Sequence, residues 1–155
     1  MLRRGGLFQS IVILTVLSAI ILASASFIDG KHWIGTILVF LGIGHIMILN
    51  ALERASYKAV LPDIVFGLVD NGLLVAGAVI GAEFAGIFGA VVGAAAMNTV
   101  TDGLAGLFEG VAVEHLRSQK IRQKRTALTT SMGKMAGCLI GAGAALILFW
   151  NILGF

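Results

Sequence analysis

Five long apolar stretches, separated by short polar segments, form most of the chain. They cover approximately residues 7–28, 33–52, 60–82, 84–113 and 135–153. Each one is long enough to cross the ~30 Å of hydrocarbon in a bilayer, because a helix rises ~1.5 Å per residue. The ~10-residue segments of alternating polarity that build a membrane β-barrel do not occur in the sequence. The pattern predicts an all-α integral membrane protein, with five transmembrane helices in a single domain over residues 1–155.

Composition excludes a soluble domain and a disordered chain. Hydrophobic residues make up 58% of the 155 residues, charged residues make up 12%, and the mean hydropathy is +0.99. Since a soluble domain typically carries ~25% charged residues, this chain lacks the polar side chains that a water-exposed surface needs. The one cysteine, Cys138, excludes a disulfide framework. The sequence also lacks a phosphate-binding loop and a Gly-x-Ser-x-Gly turn, so we do not expect an enzyme.

Basic residues are distributed unevenly between the two sides of the predicted bundle. If the amino terminus is cytoplasmic, the outer side carries only Lys31. The inner side then carries Arg3, Arg4, Arg54, Lys58, Arg117, Lys120, Arg122, Lys124, Arg125 and Lys134. Cytoplasmic segments of membrane proteins are enriched in Lys and Arg. We therefore expect a cytoplasmic amino terminus, an external carboxyl terminus and a location in the plasma membrane or a bacterial inner membrane.

The first apolar stretch allows a second interpretation. Arg3 and Arg4, the apolar residues after them and the small residues Ala23, Ser24 and Ala25 are also typical of a cleavable secretory signal. Cleavage would leave four spans with the same orientation. The stretch is longer than the roughly 7–15 apolar residues usual in such signals, which favours a retained fifth span.

The polar segment 114–134 contains many of the basic residues on the predicted cytoplasmic side. Its Lys and Arg side chains are expected to contact anionic lipid headgroups, which attract each basic residue near the surface by ~1 kcal/mol. The predicted topology alone explains a basic loop on the cytoplasmic side, so nucleic-acid binding is not needed to explain these residues. We therefore expect a lipid bilayer as its partner and no nucleic acid.

Six polar side chains interrupt the third and fourth apolar stretches, namely Asp63, Asp70, Asn71, Asn98, Asp102 and Glu109. A charged side chain in hydrocarbon costs about 2.5–3.5 kcal/mol on insertion scales, so such residues usually serve a function. Asp63 and Asp70 are about two helical turns apart and share one helix face. Asn98, Asp102 and Glu109 fall within about 40° of one another on the next helix.

A short polar turn at residues 81–83 joins these two stretches and predicts an antiparallel pair of helices. The depth of each polar residue then follows from its distance to the ends of the spans. The residues near the middle of the membrane are Asp70, Asn71, Asn98 and Asp102. Asp63 and Glu109 are expected close to the cytoplasmic side, where they would form the mouth of a path.

Carboxylate and amide oxygens at matching depths on two neighbouring helices suit hard cations such as Mg²⁺, Ca²⁺ or Mn²⁺. His45 in the second apolar stretch would extend the choice towards Fe²⁺ or Zn²⁺. The sequence thus predicts a cation transporter or channel, most simply for a divalent metal, with its site between the third and fourth helices. No resident cofactor is expected.

Several of these residues also have a structural explanation. Asp63 follows Pro62 at a predicted helix start, where the helix dipole stabilises a carboxylate. Other polar side chains of these stretches commonly hydrogen-bond or pair between membrane helices, namely Asn71, Asn98, Thr99, Thr101, His45 and Glu109. Asp70 and Asp102 are harder to explain, because the sequence predicts no Lys or Arg at their depth. These two are therefore the strongest ligand candidates.

Glycines spaced by four residues occur in the last three stretches. The series are Gly77–Gly81, Gly89–Gly93, Gly106–Gly110 and Gly133–Gly137–Gly141. Such small-residue faces let helix backbones approach closely, so we expect tight packing of helices three to five. They also suit docking to other helices. The alternative function is therefore a non-catalytic structural subunit of a larger membrane complex, and a homo-oligomer is compatible with either function.

Two short segments resemble each other. Val69–Leu73 reads VDNGL and Val100–Leu104 reads VTDGL, so that Asp70 corresponds to Thr101 and Asn71 to Asp102. Because the two helices are predicted to be antiparallel, the pattern is that of an inverted repeat. Such repeats occur in transporters whose sites lie at the membrane midplane.

The segment IVFGLVDNGLLVAGAVIGA … GAVVGAAAMNTVTDGLAGLFEGVAVEHL is similar to the first hairpin of vacuolar iron transporters. That family likewise has five spans, an Asp-Gly pair in a Gly/Ala-rich helix and a second Gly/Ala-rich helix that enters the cytoplasm. The likeness covers about 50 residues. Here, however, the hairpin forms spans three and four rather than one and two, and a basic segment replaces the acidic, metal-gathering one. We therefore carry over no residue roles.

Overall fold

The computed structural model describes residues 4–26, 31–53, 57–118 and 126–155. Within these residues every long element is helical and no strand occurs, which confirms the prediction of an all-α protein. The helices are α1 (Arg4–Ser26), α2 (Lys31–Glu53), α3 (Tyr57–Ser118), α4 (Ala127–Leu146) and a π-helical segment (Ile147–Ile152) that continues α4.

Helix α3 is a hairpin of two arms. Ala85 (φ −146°, ψ 27°) and Gly86 (φ 57°, ψ −139°) leave the helical conformation, and the chain reverses there. The positive φ of Gly86 is one that residues with a Cβ atom adopt only at a cost. Residues 57–84 are the first arm and residues 87–118 the second arm. The predicted turn at residues 81–83 was wrong, because these residues are helical and glycine at position 86 makes the reversal.

Glycines bring the two arms into backbone contact. A side chain on Gly93 would collide with the carbonyl oxygen of Gly77, and a side chain on Gly89 would collide with that of Gly81. A Cβ atom added to Gly77 would lie 2.5 Å from the carbonyl oxygen of Gly93. Along the first arm the residue numbers rise from Gly77 to Gly81, whereas those of their partners in the second arm fall from Gly93 to Gly89. The two arms are therefore antiparallel. Both the antiparallel pairing and the tight glycine packing predicted from the sequence are confirmed.

Helix α4 lies at the centre of the bundle, between α2 and the first arm. A side chain on Gly137 would collide with the carbonyl oxygen of Ile64 in the first arm. On its other side, a Cβ atom added to Gly143 would lie 2.5 Å from the carbonyl oxygen of Gly35 in α2. Small residues on both sides of α4 therefore let two helices approach it closely.

All four helices contribute to one apolar cluster at the end of the bundle where α4 begins. Its buried members are Leu17, Leu49, Val60, Ile64, Leu128 and Met132. Met132 has no exposed surface and lies within the cluster. In hydrocarbon such a cluster is held by van der Waals packing, because removal from water contributes little there. This cluster joins α1 to the other helices.

Helix α4 begins earlier than the sequence indicates. Thr126 caps it: the Thr126 hydroxyl oxygen accepts from the backbone N–H of Thr129 at 3.1 Å, and the Thr129 hydroxyl oxygen accepts from the N–H of Thr126 at 2.9 Å. This reciprocal pair satisfies two backbone donors. The predicted loop at residues 114–134 was therefore too long at both ends, since α3 extends to Ser118 and α4 begins at Ala127. Residues 119–125, with most of the loop's basic side chains, lie outside the described residues.

Within the described part of the chain, three helical segments are long and apolar enough to cross a membrane, namely Trp33–Leu52, Val60–Ala105 and Ala127–Ile152. Phe8–Ala23 is a shorter apolar helix. Large apolar side chains cover the outside of the bundle, and Phe84, Ile87 and Phe88 are each at least 74% exposed. Contiguous apolar surface of this extent is unusual for a protein in water and is typical of one that contacts lipid or other helices. The membrane class predicted from the sequence is compatible with this surface.

Candidate functional site

A hydrogen bond between the two arms joins Asp70 to Thr101. The Thr101 hydroxyl donates a short hydrogen bond to Oδ1 of Asp70 and also lies 3.0 Å from the carbonyl oxygen of Asn98. Thr101 is only 2% exposed, and Asp70 is half-buried. Both residues are therefore held in the seam between the arms, about two turns further from the break than Gly77.

The same contact sets the depth of the site. Asp70 follows Val60, where the apolar segment of the first arm begins, by about three helical turns, or ~15 Å of rise. That is about half of the ~30 Å of a hydrocarbon core. Thr101 and its neighbour Asp102 are at the same level, because Thr101 contacts Asp70 directly. The carboxylate of Asp70 thus lies near the middle of an apolar helical pair.

Asp102 lies at this level but on the outer side of the second arm. Its side chain is exposed, and its Oδ2 accepts a hydrogen bond of 3.0 Å from Nδ2 of the half-buried Asn98. One step along a helix rotates the side chain by ~100°, so the placement of Thr101 in the seam turns Asp102 away from it. The structure therefore brings together Asp70 with Thr101, and Asn98 with Asp102, as two separate pairs.

The other ligand candidates in α3 are spread along it. Asn71 is half-buried beside Asp70. Asp63 is buried against α4, where a Cβ atom added to Gly133 would lie 3.1 Å from its Cβ. The helix-start explanation for Asp63 was wrong, because α3 begins at Tyr57 and Pro62 lies inside it. The side chain of Glu109 lies outside the described residues.

His45 is the other buried ionisable side chain singled out by the sequence. It is 3% exposed in α2, and its Nδ1 lies 2.9 Å from the carbonyl oxygen of Leu41. Since a carbonyl can only accept, Nδ1 carries the proton and Nε2 is left as an acceptor. Within the described residues Nε2 has no hydrogen-bond partner. A buried acceptor without a partner is costly, so this nitrogen is available to a hydrogen-bond donor or a metal ion.

Metal ligation by these residues stays a prediction. Among the described residues, no three His, Cys, Asp or Glu side chains come together in the way that a closed metal site requires. Asp70, Thr101 and the adjacent Asn71 provide oxygen atoms at one level. Such a sparse set fits an ion that keeps part of its hydration shell, as Mg²⁺ usually does in proteins.

Two neighbours of this region were not recognised as part of it from the sequence. The sequence predicts Thr101 only as a residue that hydrogen-bonds between helices, although its alignment with Asp70 in the internal repeat was the available signal for its place beside that carboxylate. Lys134 was assigned to the cytoplasmic loop, but it lies in α4 with Nζ 4.6 Å from the centre of the Phe66 ring. Phe66 precedes Asp70 by one helical turn, so a basic residue lies closer to the carboxylate than the sequence predicted.

No protein-family model matches the chain, and no curated protein and no solved structure resembles it significantly. The similarity to vacuolar iron transporters therefore rests on the residues of the hairpin alone.

Proposed function

We propose that the protein moves a cation, most simply a divalent metal ion, across a membrane, and that Asp70 is the central ligand on its path. The observation that supports this proposal is the carboxylate of Asp70, which lies in the seam between two apolar helices about halfway along them. A carboxylate in such a place must be protonated, hydrated or bound to a cation.

The path would run along the seam of the hairpin. Thr101 uses its hydroxyl to hold Oδ1 of Asp70, which leaves Oδ2 for a passing ion. Asn71 lies at the same level, ~100° further round the helix. Asp63 lies about two turns nearer the start of the first arm, where it is buried against α4, and would receive the ion from the cytoplasmic side. Oxygen ligands of this kind favour hard cations over soft ones.

The proposed topology has five spans: α1, α2, the two arms of α3, and α4. The apolar segment Val60–Ala105 reverses at Ala85 and Gly86, and a hairpin that crosses twice fits its length. The excess of basic residues near the start of the chain and around segment 114–134 supports a cytoplasmic amino terminus. In this orientation the basic segment contacts anionic headgroups of a plasma or bacterial inner membrane.

Cation uptake into liposomes carrying the purified protein tests the proposal. Mg²⁺, Mn²⁺, Fe²⁺, Ca²⁺, Na⁺ and H⁺ are compared for the wild type, Asp70→Asn and the control Glu83→Gln. Glu83 is an exposed carboxylate near the reversal of α3, outside the candidate site. Selective flux that is lost in Asp70→Asn and kept in Glu83→Gln supports the proposal. Equal flux in all three proteins contradicts it.

The second candidate, a structural subunit of a larger membrane complex, is favoured by the exposed second arm. Val91 lies on one side of this arm, Val100 and Leu107 lie on the opposite side, and each of the three is more than half exposed. The glycines expected to dock partners, Gly89 and Gly137, are instead used inside the chain, against Gly81 and Ile64. The subunit function predicts no flux from the isolated, folded protein.

A further inference from the structure

The second arm carries an unpartnered polar pair on its outer face. Asn98 donates one N–H to Oδ2 of Asp102, and Asp102 is exposed at the level of Asp70. Among the described residues no other side chain bonds the second N–H of Asn98 or Oδ1 of Asp102. One donor, the second N–H of Asn98, and two acceptor atoms, Oδ1 of Asn98 and Oδ1 of Asp102, therefore remain near the middle of an otherwise apolar helix. Exposure of this pair to lipid would cost several kcal/mol, so it needs a cover.

The same face lets another helix approach closely. Ala95, Thr99 and Gly103 follow one another at intervals of four, and all three are exposed. The Thr99 hydroxyl bonds the carbonyl oxygen of Ala95 at 3.0 Å, so it presents mainly its methyl group. A Cβ atom added to Gly103 would meet no atom within 4 Å, which shows that this chain does not fill the space there. In contrast, the other arm of the chain already fills the space beside four glycines of the hairpin, namely Gly77, Gly81, Gly89 and Gly93.

We infer that a second copy of this chain packs on this face, with Asn98 of each copy donating to Asp102 of the other. In a dimer with two-fold symmetry the same surface patch of each copy forms the interface. Each donor in the patch must therefore meet an acceptor of the same patch on the other copy. The remaining N–H of Asn98 and the remaining Oδ1 of Asp102 match in this way. An unrelated partner would need its own polar residues at this depth, and lipid tails offer neither donors nor acceptors. This inference does not depend on cation transport.

The inference is tested by cysteine cross-linking in membranes, in a Cys138→Ala background that removes the native thiol. Thr99→Cys places a thiol on the proposed interface, and Val100→Cys places one at almost the same depth on another side of the arm. Both positions are exposed in one copy. With a two-fold axis along the membrane normal, the two Thr99→Cys thiols come within disulfide distance and the Val100→Cys thiols do not. Cross-linking at Thr99→Cys that does not exceed cross-linking at Val100→Cys overturns the inference.

Gly103→Leu in the Thr99→Cys protein provides the second measurement. Space is open at Gly103 in one copy, so folding is retained and only close approach of a second copy is blocked. The matched control is Gly44→Leu, at a helical glycine of α2 that also has no atom within 4 Å of an added Cβ. We expect Gly103→Leu to reduce cross-linking about tenfold. The leucine side chain would separate the two helices, so that the two hydrogen bonds between the copies and the helix packing around them are lost. Equal cross-linking in both leucine variants overturns the inference, whether or not the protein shows cation flux.

Discussion

Thr101 donates its hydroxyl hydrogen to the carboxylate of Asp70 across the seam of the α3 hairpin. These are the two residues that the repeat VDNGL and VTDGL aligns with each other. In an inverted repeat, aligned residues face each other only where the local two-fold axis passes between the helices. The contact between Asp70 and Thr101 is the one that such a repeat would place at its axis, and a functional site near that axis stays a prediction.

We predict that Thr101→Val destabilises the hairpin and that Thr101→Ser does not. Valine keeps the shape but leaves Oδ1 of Asp70 without its donor, which costs about 1–2 kcal/mol. Unfolding of the protein in detergent micelles measures the loss. The control is Thr99→Val, because the Thr99 hydroxyl bonds only Ala95 of its own helix and its side chain is exposed. Equal stability of the two valine variants would contradict the role of Thr101.

The glycine contacts between the arms predict opposite effects of the same substitution at two sites. Gly93→Ala places a methyl group against the carbonyl oxygen of Gly77 and should cost about 1–3 kcal/mol. Gly103→Ala meets no atom and should leave stability unchanged or raise it by up to ~1 kcal/mol, because alanine favours a helix. Thermal unfolding in micelles distinguishes the two variants. If both behave alike, the arms are not in backbone contact at Gly93.

His45 allows a test that separates packing from ligand binding. Replacement by Met removes a buried acceptor that has no partner, which relieves a desolvation cost of about 1–3 kcal/mol. We therefore expect His45→Met to fold with unchanged or increased stability in micelles. Cation flux is then measured on the same protein. Retained flux assigns His45 to packing, whereas lost flux with retained stability assigns it to the ion path.

The start of α4 can be tested through its cap. Thr126→Ala removes the acceptor for the N–H of Thr129 and should lower stability by about 0.5–2 kcal/mol, whereas Thr126→Ser should keep it. Amide hydrogen exchange locates the effect, since protection should fall in the first turns of α4. If protection begins only near residue 135 in the wild type, the earlier start is refuted.

Hydropathy was sufficient to predict the helical class and the hairpin, because every apolar stretch that crosses hydrocarbon must satisfy its own backbone. It did not locate the reversal, since Gly81 and Gly86 are equally good turn residues and only packing against Gly89 decides between them. It also missed the start of α4, because a Thr126–Thr129 cap extends a helix beyond the apolar residues.

The sequence predicted the level of the candidate site along the two arms, but it did not predict which face of the second arm turns towards the first. Counting residues placed Asp70 and Asp102 at the same level. The rotation of the second arm is set by Gly89 and Gly93, whose backbones contact the first arm. This rotation places Thr101 rather than Asp102 in the seam. An error of one residue in a helix is a rotation of ~100°, enough to exchange a buried position for an exposed one.

The central place of α4 has a consequence for how the protein is made. Helices are synthesised from the amino terminus onwards, so α4 is made after α1, α2 and both arms of α3. Until it enters the bundle, Gly35 of α2 and the backbone of Ile64 in the first arm have no packing partner. The nascent chain must therefore leave space between α2 and the first arm until α4 has been made and packs between them. Truncation before Ala127 should leave an inserted but loosely associated protein that is a substrate for membrane quality control.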